Sequence, residues 1–216
     1  LKNLAAEQGV LSKRDQMLAG EKINTSEQRD VLHSALRGSN IQSDEARQIS
    51  SEVSGVLERL YELVDAVHQG RWLGHTGKRI KTIVHIGIGG SHLGPELVTE
   101  ALVEYRTHPL TLHYVANIDA FQLRQALAQA DPETTLFIIA SKSFSTLETQ
   151  VNAQSARSWF LERGGSLDGI QRHFVAVTNN IAAAAEFGLP EDNLLPMWDW
   201  VGGRFSLWSA VGLPIA

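Results

Sequence analysis

The chain has 216 residues, of which 43% are hydrophobic and 20% charged, and its formal net charge is −5. Its Lys and Arg residues are scattered, which argues against nucleic acid as a partner, because such binding needs a concentrated basic face. No stretch approaches the roughly 18 continuous apolar residues of a membrane span, so we expect no membrane partner. The chain has no cysteine, which excludes disulfides and thiolate metal ligands and suits a cytoplasmic protein.

Both ends of the chain suggest a piece of a longer protein. It begins with Leu1 rather than Met, no signal-peptide core follows, and it stops inside the apolar "SAVGLPIA". We therefore expect a fragment.

The first part of the chain, residues 1–72, has a helical pattern. Apolar residues recur at spacings of three and four, as in Val53, Val56, Leu60, Leu63, Val64 and Val67. The stretch "NIQSD", residues 40–44, predicts a break, with Ser43 or Asp44 capping the next helix. The glycine-bearing "WLGHTGKRIK", residues 72–81, is the expected boundary between this N-terminal segment and a second domain, 73–216.

Strand and helix patterns alternate after that boundary. Short runs rich in β-branched and aromatic residues occupy 82–89, 111–117, 134–141 and 173–179. Helical patterns follow them at 93–105, 121–129, 147–163 and 181–187. This alternation predicts an α/β fold with a parallel sheet covered by helices. In such sheets ligands bind outside the carboxyl ends of the strands, so the loops after the strands are the candidate sites.

The first candidate is the glycine turn "GIGGSHLGP", residues 87–95. Glycines let backbone N–H groups approach a ligand, and the following helix offers its positive end to an anion. The dinucleotide fingerprint fails because His92 stands in place of its last glycine, and a nucleotide P-loop fails because Pro95 stands where lysine is required. A tight turn for close helix–strand packing is the alternative interpretation.

The second candidate is the loop "SKSFSTLET", residues 141–149. Ser145 and Glu148 match a capping box, which predicts that Ser145 caps the next helix. The cap does not account for Ser141, Lys142, Ser143 and Thr146. Hydroxyls, loop amides and a helix N-terminus can together surround a phosphate, with Lys142 adding charge or flanking the site. The loop therefore predicts an anion site for a small-molecule monophosphate.

The third candidate is "MWDWVGGRFSLWSAVGLP", residues 197–214. Arg204 follows two glycines and precedes an apolar stretch typical of a buried helix. It either pairs with Asp199 or points at ligand oxygens. The tryptophans are expected in core and interface packing; they are Trp198, Trp200 and Trp208.

The histidines carry weaker signals. His85 lies within the first strand and is predicted to be a core residue with a hydrogen-bonded ring, whereas His33 lies on a helix and faces either the core or a cleft. No H-x-x-x-H pattern occurs, so we predict no metal site. No G-x-S-x-G pattern supports hydrolase chemistry.

These segments, in this order, resemble the N-terminal part of the glucose-6-phosphate isomerase family. They are "GEKINTSEQRDVLHSALR", "GIGGSHLGP", "DPETTLF", "SKSFSTLET" and the highly specific "DWVGGRFSLWSAVGLP". The resemblance implies a sugar isomerase (SIS) three-layer sandwich with a parallel five-stranded sheet, in a homodimer. It also implies an intramolecular oxidoreductase of glycolysis and gluconeogenesis, which interconverts glucose 6-phosphate and fructose 6-phosphate through an enediolate without metal or organic cofactor.

The resemblance also implies roles for individual residues. Arg204 stabilises the enediolate, a charge that develops during proton transfer. The implied substrate contacts are Gly90, Ser91, His92, Ser141, Lys142, Ser143, Phe144, Ser145, Thr146 and Gly203. His92 stands at the place of the family's usual aspartate, which leaves a carboxylate contact there open. Ser143 and Ser145 replace commoner threonines and keep the hydroxyls.

The family's base, ring-opening histidine and late lysine lie downstream of the last segment, so we expect this piece alone to be inactive. Two other functions are alternatives to this one. A non-catalytic sugar-phosphate-binding module would need neither Arg204 in its motif nor the helical N-terminal segment. A nucleotide-dependent oxidoreductase is disfavoured by the failed fingerprint.

Overall fold

The computed structural model describes residues 1–38 and 44–216, apart from the side chains of 44–47. Two short helices without buried residues open the chain, α1 (Lys2–Glu7) and α2 (Val10–Leu18). Residues 19–32 form no helix, and an isolated bridge joins Asn24 to Arg29 there. The helical prediction for 1–72 is wrong for this stretch, because Gly20, Asn24 and the polar residues around them favour turns.

The long helix α3 (Asp44–His68) follows a 3₁₀-helix, His33–Arg37. Its buried side chains Val53, Val56, Leu60 and Val67 belong to the same hydrophobic core as the sheet. The predicted break at 40–44 and its cap lie outside the residues and side chains described. Helix α3 and the sheet therefore share one hydrophobic core. The division of the chain into two domains at residue 72 stays a prediction.

Five parallel strands form one sheet in the order β2-β1-β3-β4-β5. They are β1 (Thr82–Gly87), β2 (Thr111–Val115), β3 (Thr135–Ala140), β4 (Phe174–Val177) and β5 (Leu194–Leu195). The helices among them are α4 (Leu93–Ala101), α5 (Ala120–Gln129), α6 (Leu147–Glu162), α7 (Ile170–His173) and α8 (Ile181–Phe187). The predicted α/β fold with a five-stranded parallel sheet is confirmed. Within the described ranges, no helix is long and apolar enough to cross a membrane.

Each face of the sheet has its own core, because successive side chains of a strand point to opposite faces. Leu136 and Ile138 of β3 pack with α3, whereas Phe137 and Ile139 pack with the helices of the other face. On that second face Phe160 of α6 is fully buried and stacks edge-on against Phe174 at 6.0 Å. The sheet is therefore the middle layer of three.

The strand register brings the candidate sites to one edge. Gly87 at the end of β1 lies opposite Ala140 at the end of β3. Ala140 lies opposite Val177 of β4, which in turn lies opposite Leu195 of β5. The glycine turn, the loop after β3 and the segment after β5 therefore all leave the sheet at its carboxyl edge.

Candidate functional site

The loop after β3 turns sharply at Phe144. Its φ of 52° lies in the left-handed region, which is uncommon for a bulky residue. Burial of the ring, which packs edge-on against Phe187 at 5.9 Å, holds this conformation. Gln150 Nε2 also donates to the carbonyl of Phe144 at 3.0 Å. The turn leaves the side chains of Ser143 and Ser145 exposed.

Helix α6 starts without a side-chain cap. Thr146 is the capping residue and its side chain makes no capping hydrogen bond, while the Ser145 hydroxyl donates to Ser143 Oγ at 2.7 Å. The predicted capping box is therefore wrong. The left-handed turn at Phe144 moves the helix start one residue past Ser145, so Glu148 is no longer three residues after the cap.

The missing cap leaves donors open at the candidate anion site. In the described part of the chain, the backbone N–H groups of residues 146–149 meet no acceptor, as is usual for an uncapped first turn. The same helix end carries partial positive charge. The buried Ser141 hydroxyl faces Thr146 Oγ1 across the loop at 3.4 Å, and the same loop carries the exposed, mutually bonded hydroxyls of Ser143 and Ser145. These groups together could hold an anion.

Lys142 joins this loop to the segment after β5. Its Nζ donates to the carbonyls of Val201 at 3.0 Å and Asp199 at 3.3 Å. Its own carbonyl accepts from Asn179 N at 2.9 Å, which fixes the loop to the chain after β4. The ammonium thus flanks the loop and binds backbone of the neighbouring segment.

The glycine turn packs tightly on both sides. Gly89–Ser91 forms a 3₁₀ turn, and a Cβ added to Gly90 would lie 2.8 Å from the Cα of Gly203. His85 Nε2 lies 2.6 Å from the carbonyl of Ser91. The turn is thus closely packed, but Gly90 packs on the segment after β5 rather than between a helix and a strand, and the turn also lies at the ligand edge of the sheet.

His85 is the predicted core histidine with a bonded ring. It is fully buried, and burial is the main cause that lowers its pKa to about 4, although the bond to the Ser91 carbonyl acts in the opposite direction. The ring is therefore neutral at pH 7 and donates from Nε2 to that carbonyl.

His92 directly precedes the first residue of α4, and its ring faces Tyr114 of β2. It is 7% exposed, and its ring centre lies 5.8 Å from that of Tyr114. Nε2 is 3.1 Å from Glu96 Oε2, within ion-pair distance, but the angle does not make a hydrogen bond. A direct substrate contact by His92 stays a prediction.

Arg204 is exposed at the same edge. It forms no ion pair within the described ranges, so the predicted alternative of a pair with Asp199 is wrong. The buried helix expected after it is present as two 3₁₀-helices, Gly203–Trp208 and Ala210–Ile215, of which the second buries Ala210, Val211 and Leu213. Gly212 and Pro214 disfavour an α-helix there.

The tryptophans divide into two groups. Trp198 and Trp200 stack at 5.0 Å and pack partly buried against the core beneath α3, as predicted. Trp208 is 53% exposed, with Arg37 over its ring at 5.2 Å, so it is not a core residue.

A cavity of about 830 Å³ lies between the N-terminal segment and the segment after β5. His33 and Lys142 line it, together with Gly202 and Gly203. Burial is the main cause that lowers the pKa of His33; the nearby Gly202 carbonyl, which would favour a protonated ring, opposes that shift, and the charge of Lys142 reinforces it. The sequence placed His33 near a core or a cleft, and the structure shows the cleft. Its partner Gly202 lies 169 residues away and carries no sequence signal.

The whole chain is similar to known proteins of one family. The family model described as phosphoglucose isomerase matches residues 1–216. The glucose-6-phosphate isomerase of Stutzerimonas stutzeri is 51% identical over 219 residues, covering 100% of this chain and 39% of its own length. That of Pseudomonas fluorescens is 52% identical with the same coverage.

A solved structure of a glucose-6-phosphate isomerase has a similar fold. The glucose-6-phosphate isomerase of Chlamydia trachomatis superposes with a TM-score of 0.81 at 31% identity, over 97% of this chain and 40% of that one. The chain thus spans about 40% of the length of the relatives that it matches.

Proposed function

The chain belongs to the phosphoglucose isomerase family, and on that premise we propose that the protein containing it interconverts glucose 6-phosphate and fructose 6-phosphate. The activity is proposed for the whole protein, since the chain spans about 40% of its relatives' length. One observation carries the proposal: an uncapped, hydroxyl-lined helix start lies at the same sheet edge as an arginine without an ion-pair partner among the described residues.

The loop after β3 binds the substrate's phosphate in this proposal. Open amides at the start of α6 and the hydroxyls around them supply donors to the phosphate oxygens, and the helix end supplies favourable charge. The phosphate-binding residues proposed are Ser141, Lys142, Ser143, Phe144, Ser145 and Thr146. Gly90, Ser91, His92 and Gly203 are proposed to line the sugar beyond the phosphate.

Arg204 acts at the reacting carbons. Moving a proton between C1 and C2 places negative charge on the oxygens of an enediolate, and a guanidinium fixed nearby stabilises that charge in the transition state. An arginine without an internal ion pair keeps its donors for this purpose. Arg204 stabilises negative charge but does not act as the base that transfers the proton. We therefore propose that the 216-residue chain alone binds hexose 6-phosphate without turning it over. The homodimer and the cytoplasmic location stay predictions.

Solvent exchange tests the enediolate. Full-length protein incubated with fructose 6-phosphate in D₂O should introduce deuterium at C2 of the glucose 6-phosphate formed, because the proton passes through a group in contact with solvent. Proton and deuterium NMR measure this. Product formed without any deuterium would favour direct hydride transfer from C1 to C2 over the enediolate, and binding without product would favour the non-catalytic module.

A further inference from the structure

One side chain of the N-terminal segment reaches the backbone just before Arg204. Gly202 N lies 3.0 Å from His33 Nε2, with the geometry of an N–H that donates to a bare ring nitrogen. The same nitrogen is 3.2 Å from Gly202 O, a contact that would need the other tautomer. The shorter contact assigns the proton of the neutral ring to Nδ1.

His33 also contacts the residue that follows Arg204. Its ring centre lies 5.4 Å from that of Phe205, with the two planes tilted by 51°. The imidazole therefore touches the chain on both sides of Gly203 and Arg204. A side chain in this place can limit rotation of the backbone between its two contacts.

Three different elements hold the backbone that leads into Arg204. Lys142 of the β3 loop binds the carbonyl of Val201, His33 binds the amide of Gly202, and Gly90 packs on Gly203. Arg204 is exposed and has no ion pair within the described ranges, so its direction depends on this backbone. Gly203 has a φ of 57°, a conformation that glycine adopts readily. Because glycine also permits many other conformations, the contacts of the neighbouring residues are what fix this turn.

We propose that His33 is a positioning residue for the isomerisation, which holds the peptide of Gly202 so that Arg204 meets the charge developing on the substrate. This inference rests on the proposed function. A small displacement of a group that acts in the transition state lowers kcat, whereas substrate held by its phosphate keeps its KM.

Two variants of the full-length protein separate positioning from simple loss of structure. His33→Leu removes the nitrogen, and we expect kcat to fall by about 10- to 100-fold with KM within about twofold. His33→Gln offers an amide oxygen at similar reach, so it should recover most of kcat. His108→Leu is the matched control, because His108 is exposed and stacks on His68 away from this turn. Unchanged kcat in His33→Leu would overturn the inference, and so would a glutamine variant as impaired as the leucine variant.

Hydrogen exchange at Gly202 tests the contact without activity. In His33→Leu its amide should exchange faster than in the wild type and in His33→Gln, while the amides of β3 exchange at unchanged rates. Equal exchange at Gly202 in all three proteins would overturn the inference and leave the proposed function standing. A wild type that does not interconvert the sugars would remove the proposed function, whereas the exchange result would still report whether His33 holds the turn.

Discussion

Gly90 and Gly203 meet backbone to backbone, although one follows the first strand and the other follows the last. A Cβ on Gly90 would lie 2.8 Å from the Cα of Gly203, closer than real Cβ contacts come. The glycine at position 90 thus lets the turn after β1 pack directly against the turn that carries Arg204.

Gly90→Ala should therefore destabilise the fold. Relieving the overlap requires backbone shifts, which cost about 1 to 3 kcal/mol in well-packed proteins. Gly202→Ala is the matched control, since its φ of −168° is ordinary extended backbone and, among the residues that the structure describes, no atom beyond its two chain neighbours lies within 4 Å of its Cβ position. Urea unfolding of the 216-residue chain measures both. Equal stability of the two variants would show that the turns can separate without cost.

Loss of hydroxyls from the β3 loop should weaken phosphate binding. Thr146→Val or Ser143→Ala each removes a donor worth about 0.5 to 1.5 kcal/mol, so inorganic phosphate should bind up to about tenfold more weakly. NMR titration of the chain with phosphate measures the affinity. Ser155→Ala is the control, because that hydroxyl donates to Val151 O further along the same helix. The site would be elsewhere if the control variant lost as much affinity as the loop variants.

Arg204→Lys should lower kcat strongly while stability stays the same. Lysine keeps the charge but loses the planar fork of donors, and removing such stabilisation costs about 100- to 1,000-fold in other active sites. The unfolding midpoint should not move, because Arg204 is exposed and has no ion pair in the described part of the chain. A steady-state assay of the full-length protein checks the first point. A lysine variant with wild-type kcat would exclude the proposed role.

Buried histidine makes stability depend on pH. The pKa of His85 is about 4 in the folded chain against an ordinary 6.5, mainly because burial disfavours its charged form. The unfolded chain therefore binds the proton first, and the free energy of unfolding should fall as pH drops from about 6.5 to about 4, by about 1.4 kcal/mol per unit for one such group. His173, whose pKa is also lowered to about 4, acts in the same direction.

His85→Asn removes one of these titrations. Between pH 6.5 and 4 its free energy of unfolding should fall less steeply than that of the wild type, while above pH 7 the two curves should run parallel. Chemical unfolding at a series of pH values gives both curves. Identical slopes in the acid window would mean that His85 does not titrate with unfolding.

Secondary structure could be predicted from the sequence where a local pattern of residues determines it. Strands β1, β3 and β4 are buried on both faces, so their continuous apolar runs were predictable. Strand β5 has only two residues, too few for any pattern.

Contacts between distant residues were not predictable in this way. The capping motif at Ser145 was misleading because the left-handed Phe144 moves the helix start, and that conformation depends on burial of its ring against Phe187. The bond between His33 and Gly202 likewise depends on the whole fold bringing the two residues together.

The most direct measurement is interconversion of glucose 6-phosphate and fructose 6-phosphate by the purified full-length protein, with the 216-residue chain assayed beside it. We expect the full-length protein to convert each sugar phosphate into the other, and the 216-residue chain to bind them without turnover. A full-length protein that binds hexose 6-phosphate but converts neither sugar would contradict the proposed isomerase, and turnover by the chain alone would show that it contains its own base.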